Sequence, residues 1–139
     1  MSFIINKITL ETSELKTNAL AFIPSEPKNN YCGVFTHGYT SHKGSILPWA
    51  QKMMELSIPT ILFDLPGHFL GSFNDVSTFE VFSNQTHELF NKAHEILGRD
   101  KKLISGGHSL GGLFSLIHAK DYQPELIFCA GLGLSDPKK

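Results

Sequence analysis

A serine hydroxyl does nucleophilic chemistry only where the backbone lifts it clear of its neighbours and supplies dipoles for the charge that develops. Gly107-His108-Ser109-Leu110-Gly111 has the residue types and the spacing for this. It follows the apolar run Leu103-Ile104-Ser105-Gly106 and precedes Gly112-Leu113-Phe114, so it reads as a short strand, a sharp turn and a helix. In a G-x-S-x-G turn the serine side chain projects above the sheet edge. Residues two places to either side pass close to the turn, where a Cβ would collide and glycine has none. The helix opening at Ser109 directs its unpaired N–H groups to the same point, which favours negative charge there. A phosphate-holding turn is the rival reading of a Gly-rich strand–helix junction. Neither G-x-x-x-x-G-K-[ST] nor G-x-G-x-x-G occurs in the chain.

The elements that must position this turn follow from hydrophobic patterning. Phe3 to Leu10 alternates as a strand, and Asn18 to Pro24 reads as a second strand antiparallel to it. Gly33 to Thr36 is a short buried strand running into His37-Gly38-Tyr39. Ser45 is the expected cap of a helix to about Leu56, with Pro48 in its first turn and an apolar stripe of Ile46, Trp49, Ala50, Met53 and Leu56. Ile58 to Phe63 is a further buried strand, and a long polar loop then reaches Ser77. Thr78 to Leu97 is a helix whose expected core face is Phe79, Phe82, Leu89, Phe90, Ala93, Ile96 and Leu97, ended by Gly98. The turn strand, a helix from Ser109 to about Lys120 and a strand from Leu126 to Leu134 complete the series. Continuous apolar strands between helices predict an α/β fold, a mostly parallel sheet covered by helices on both faces behind an N-terminal hairpin.

The 139 residues suffice for one domain, read as spanning 1–139. With 41% hydrophobic and 18% charged residues the chain is predicted to be globular. A formal net charge of −1 with no Lys/Arg run argues against nucleic acid or an anionic membrane as partner. No apolar run is long enough to span a bilayer, and Met1 to Lys16 lacks the order of a signal peptide, so a cytoplasmic location is expected. Cys32 and Cys129 sit in apolar strand-like runs and are expected to be buried, reduced thiols.

Three stretches in order, Thr36-His37-Gly38-Tyr39-Thr40-Ser41-His42-Lys43, Phe63-Asp64-Leu65-Pro66-Gly67-His68 and Gly107-His108-Ser109-Leu110-Gly111-Gly112, resemble the α/β-hydrolase superfamily. Within it they look most like bacterial serine esterases of the feruloyl/cinnamoyl esterase and monoacylglycerol-lipase type. The resemblance implies Ser109 as nucleophile, an oxyanion hole from the backbone N–H groups of Tyr39 and Leu110, and Gly38, Tyr39 and His108 as substrate-contacting residues, with His108 packed beneath the turn. It implies a small acyl ester as substrate, and neither cofactor nor metal. It also implies a strand order in which the Gly33 and Leu126 strands flank the turn strand.

Two departures stand out. Relatives usually read Gly-His-Gly-x-Ser where this chain has Gly67-His68-Phe69-Leu70-Gly71-Ser72, one residue longer. Relatives also continue after the serine with an acid and then a histidine. Here Asp136 occupies a position that some relatives use for the acid. His118 lies about two and a half turns into the helix and points away from the serine.

The other histidines are weighed as structural. His37 is expected to shape its loop, His42 and His68 to be solvated loop residues, and His87 and His94 to lie on the polar side of their helix without a zinc spacing. Asp64 is expected to brace its own loop. Two functions follow. One is the N-terminal portion of a serine ester hydrolase that takes its base and acid from a second chain or a symmetry-related copy pairing along the last strand. The other is a truncated, non-catalytic hydrolase-like module.

Overall fold

The computed structural model describes residues 2–69, 72–73 and 78–131. β1 (Phe3–Glu11) and β2 (Lys16–Pro24) form an antiparallel hairpin, closed by the Thr12 N–H on the Leu15 carbonyl at 2.9 Å. β3 (Tyr31–Thr36) leads to a single 3₁₀ turn (Lys43–Ile46) and then α1 (Leu47–Glu55). β4 (Thr60–Phe63) follows, with two-residue strands β5 (His68–Phe69) and β6 (Ser72–Phe73) paired in what the sequence reads as an unbroken polar loop. α2 (Phe79–Leu97), β7 (Lys102–His108), α3 (Leu110–Tyr122) and β8 (Leu126–Ala130) complete the order.

The main sheet runs β1-β2-β4-β3-β7-β8. β2 and β4 are antiparallel, whereas the pairs β4/β3, β3/β7 and β7/β8 are parallel. Strands buried on both faces read as near-continuous apolar runs, and β3 and β4 do, apart from the buried Thr36 and Thr60, whose hydroxyls donate to the Phe63 and Ile58 carbonyls. Alternate residues supply two cores. Cys32, Val34, Ile61 and Phe63 pack against Phe82, Leu89, Phe90 and Ala93 of α2 and Phe114 of α3. Phe35, Leu62 and Ile104 face the other way, onto Ala50, Met53 and Met54 of α1. The expected order, with β3 and β8 flanking β7, is therefore found. Cys32 and Cys129 are both free thiols, Cys32 buried and Cys129 partly so.

α2 is the helix that the sequence defines best. Thr78 caps it, its Oγ1 accepting the Val81 N–H at 3.1 Å, and Gly98 closes it at φ +122°. Phe79 and Ile96 are nevertheless exposed, because the helix meets the sheet on a narrower stripe than its apolar residues cover. Ser45 caps no α-helix: it sits inside the 3₁₀ turn, which His42 caps through Nδ1, and α1 begins after Ile46 without a side-chain cap. Leu56, assigned to the stripe of α1, is exposed and Met54 is buried in its place. Of the run Leu126–Leu134, the strand itself is Leu126–Ala130, and residues 132–134 lie outside the described residues. β8 stands at the end of the sheet with Leu126 and Phe128 exposed, beside Leu113, Leu116 and Ile117 exposed on α3.

Candidate active site

β7 lies between β3 and β8, and the chain must reverse from strand into helix within one residue to leave this slot. That residue is Ser109, at φ +53° and ψ −115°, a conformation that costs a non-glycine residue about 1–3 kcal/mol. Its N–H donates to the Ala130 carbonyl at 2.7 Å and its carbonyl accepts the Leu113 N–H at 3.1 Å, so strand pairing and helix both hold it. The glycines are where sterics demand them. A Cβ on Gly107 would stand 2.4 Å from the Gly111 carbonyl carbon, and one on Gly111 would stand 2.6 and 2.7 Å from the His37 and Thr36 carbonyl oxygens. Leu110 is the first residue of α3, so its N–H has no intrahelical acceptor by position.

The loop after β3 reaches the serine. A Cβ on Gly38 would lie 3.3 Å from Ser109 Cβ and 3.4 Å from His108 Nδ1. Gly38, Tyr39, Ser41, Ser45, Ile46, Trp49, His108 and Ser109 together line an open pocket of about 320 Å³. His108 is exposed at this pocket instead of packed beneath the turn, because the parallel register sends its side chain outward at the strand end. Trp49 is held edge-on against Phe35 at 5.3 Å between centroids. Ser41, Ser45, Ile46 and Trp49 were not singled out as site residues in the sequence, since no local pattern marks them and only the α1 packing brings them there. Asp136 lies outside the described residues.

A second loop, Asp64 to His68, holds the first at three points. His37 is fully buried: its Nε2 accepts the Leu65 N–H at 2.9 Å and its Nδ1–H donates to the Gly38 carbonyl at 2.7 Å. Burial pushes its pKa down to about 4, so it is neutral near pH 7. Asp64 Oδ1 stands 3.6 Å from that same Nε2, which already accepts a proton, so no ion pair forms there. Asp64, itself buried, instead takes the Lys43 N–H on Oδ1 and the Lys43 ammonium on Oδ2, each at 2.8 Å. It braces the neighbouring loop in addition to ending β4. His68 is not solvated: only 1% of it is exposed, and its Nε2 accepts the Thr40 N–H at 2.8 Å.

The remaining histidines lie elsewhere. His118 is buried between α2 and α3, Nδ1 to Nδ1 with His87 and stacked on Phe90 and Tyr122, away from Ser109 as expected. Burial, with His87 and His94 beside it, lowers its pKa to about 3. His94 is buried and bonds the Lys101 carbonyl through Nε2 at 2.9 Å, so it is not on a polar face. Among the described residues no group of three His, Cys, Asp or Glu side chains is arranged to hold a metal ion, and no helix is long and apolar enough to cross a membrane. A hydroxyl raised on this turn, beside backbone N–H groups and an open pocket, is suited to attack a carbonyl carbon.

The family described as serine aminopeptidase, S33, a hydrolase family, matches residues 28–138. No curated protein matches the chain. Solved structures share its fold. A highly thermostable carboxyl esterase from Bacillus coagulans superposes with a TM-score of 0.70 at 17% identity, covering 92% of this chain and 44% of that one. A cold-adapted esterase from an Arctic intertidal metagenomic library gives 0.71 at 19%, covering 93% and 61%. An α/β serine hydrolase homologue from Coxiella burnetii gives 0.74 at 13%, covering 89% and 61%. The chain thus spans roughly half the length of these proteins.

Proposed function

The chain belongs to the serine aminopeptidase S33 family of α/β hydrolases, and on that premise we propose that it carries the nucleophile half of a carboxylic-ester hydrolase. Ser109 Oγ attacks the acyl carbonyl while a base takes its proton. The N–H groups of Tyr39 and Leu110 hold the oxyanion, and the alcohol leaves to give an acyl-enzyme. Water then releases the acid and restores the serine. The observation that carries this reading is the left-handed Ser109, locked between β7 and α3 with Gly38 against it and the pocket open in front. The esterases of like fold support a small ester as the substrate class.

Near this pocket the imidazoles of His37, His42 and His68 each hold a backbone N–H, at Leu65, Gly44 and Thr40, and His108, which lines it, makes no hydrogen bond to Ser109 among the described residues. We therefore place the base and acid on polypeptide outside the described residues, docked along β8 and the exposed Leu113, Leu116, Ile117, Leu126 and Phe128. The lengths of the similar esterases beyond the part this chain covers support that occupant.

A fluorophosphonate probe tests the reading. The 139 residues alone are expected to label slowly and at Ser109 only, because losing one triad member leaves about 10³–10⁴-fold catalysis over water. Ser109→Ala is expected to abolish labelling. No labelling of the folded wild type would favour the non-catalytic module. Rapid labelling would return the base to one of the chain's own histidines. Sedimentation at micromolar concentration tests the docked edge, and a clean monomer of about 15.4 kDa would refute it.

A further inference from the structure

The pocket in front of Ser109 is lined by two unlike sets of groups. Ser41, Ser45 and His108 bring polar atoms to it, whereas Ile46 and Trp49 bring apolar surface. None of its lining residues is Asp, Glu, Lys or Arg. Lys43 and Asp64, the charged pair of the adjoining loops, are engaged with each other at 2.8 Å. At about 320 Å³ the pocket stands near the small end of the range of about 300–1,000 Å³ that ligand sites occupy.

Trp49 is fixed from behind. Its ring meets Phe35 edge-on, and Phe35 is fully buried on β3, the strand whose end carries Gly38 to the serine. Ile46, Ala50 and Met53 belong to the same core. Trp49 packs against that core while only partly buried, so the remainder of the indole stays open at the pocket. Lys43, at the start of the 3₁₀ turn that leads into α1, holds Asp64 through both its N–H and its ammonium. The wall is thereby tied to β3 and to the end of β4. A side chain already immobilised loses little freedom when a ligand settles on it.

We propose that Trp49 determines specificity: it is the wall that takes the uncharged, apolar part of a small ester beside Ser109, and a substrate with charge on that part, a free ammonium included, is rejected. This deepens the hydrolase reading and rests on it for the ester; the wall itself rests on geometry. Apolar groups gain by leaving water for the indole, whereas a charge would leave water for a pocket whose lining offers no opposite charge.

The test uses the whole chain, in which Trp49 is the sole tryptophan, so the tryptophan emission reports on this wall. Ethyl butyrate is the neutral probe. Ethyl β-alaninate and monoethyl succinate share its ester and put an ammonium and a carboxylate where it has a methyl. Ethyl butyrate is expected to shift the emission saturably, and the charged esters to need at least about tenfold higher concentration for the same shift. No saturable shift, or equal shifts from all three, would overturn the proposal. Protection of Ser109 from the fluorophosphonate probe by ethyl butyrate gives a second reading, with folding checked by near-ultraviolet circular dichroism. Trp49→Ala is expected to raise the half-protecting concentration by about tenfold or more and Trp49→Phe by less than about threefold. Equal values for the two variants would show that the side chain only packs α1 and would overturn it. If the wild type takes no label, the hydrolase reading falls, and the emission titration, which needs no variant, decides the wall by the outcomes already stated.

Discussion

Replacing Gly111 by alanine tests how rigidly the serine turn is held. The new Cβ would stand 2.6 Å from the His37 carbonyl oxygen and 2.7 Å from that of Thr36, where ordinary contact begins at 3.4 Å. Relief requires a movement of about 0.7–0.8 Å by backbone, since both atoms are main-chain carbonyls at and just beyond the end of β3 and α3 is pinned through Ser109. Overpacking against backbone sits at the upper end of about 1–3 kcal/mol, and alanine returns about 1 kcal/mol of helix propensity, so a net loss near 2 kcal/mol is expected. For a chain of this size that is a fall in Tm of about 6–10 °C. The same movement separates Ser109 from the Gly38 loop, and misplacement on the order of 1 Å costs about 10²-fold in a positioned reaction. Differential scanning calorimetry and Ser109 labelling measure the two effects. Gly44→Ala is the comparison: its Cβ meets the His42 ring, which can turn away at the cost of its cap on the Gly44 N–H, about 1 kcal/mol, with no backbone of the Ser109 turn displaced. If Gly111→Ala melts within about 2 °C of wild type and labels at the same rate, the turn has slack that this geometry denies, and the steric account of the motif is wrong.

Two further outcomes follow from buried titratable groups. His37 and His118 are neutral in the fold, with pKa values lowered to about 4 and about 3 from 6.5. The unfolded chain therefore binds more protons below about pH 6.5, and stability is full above that pH and falls as acid is added, by up to about 2.7 kcal/mol per pH unit for the pair. Urea midpoints between pH 7 and pH 4 measure this, and His118→Phe, keeping the stack on Phe90 and Tyr122, is expected to roughly halve the slope; an unchanged slope would remove His118 from the account. Burial likewise raises the Cys32 thiol to about 12, so it should resist iodoacetamide at pH 8 in the folded chain and react fully in urea; fast reaction of folded Cys32, read by peptide mass mapping, would contradict its placement in the core.

Where the backbone itself sets the requirement, the sequence was enough. Gly107 and Gly111 appear at fixed distance from Ser109 because carbonyls crowd them, and the positive φ of Ser109 follows from that pattern. Thr78 and Gly98 bound α2 because capping is local. What stayed hidden depends on partners far along the chain. His68 and Thr40 are 28 residues apart, so nothing beside His68 signals that it will be buried as an acceptor. His42 is an uncommon cap, and its 3₁₀ turn displaced Ser45 from the role that its residue type suggested. Phe79 and Ile96 share the helical period of the core residues, but periodicity does not say how wide a stripe the sheet will cover. His108 follows the alternation of β7 out to the pocket, which could have been counted from the strand had its end been known.

The sheet order also sets the sequence of events by which the site comes into being. The β1–β2 hairpin closes across a four-residue turn, so it can form on its own within microseconds. Joining β7 to β3 instead ties Tyr31 to Lys102, across a loop of about 70 residues, and such closures are entropically costly and slow. Ser109 acquires its left-handed backbone only when β7 is seated between β3 and β8. The Ser109 turn is thus expected to form late in folding, and if the proposed reactivity holds, its capture by a probe during refolding reports the long-range β3–β7 pairing, after the hairpin has formed.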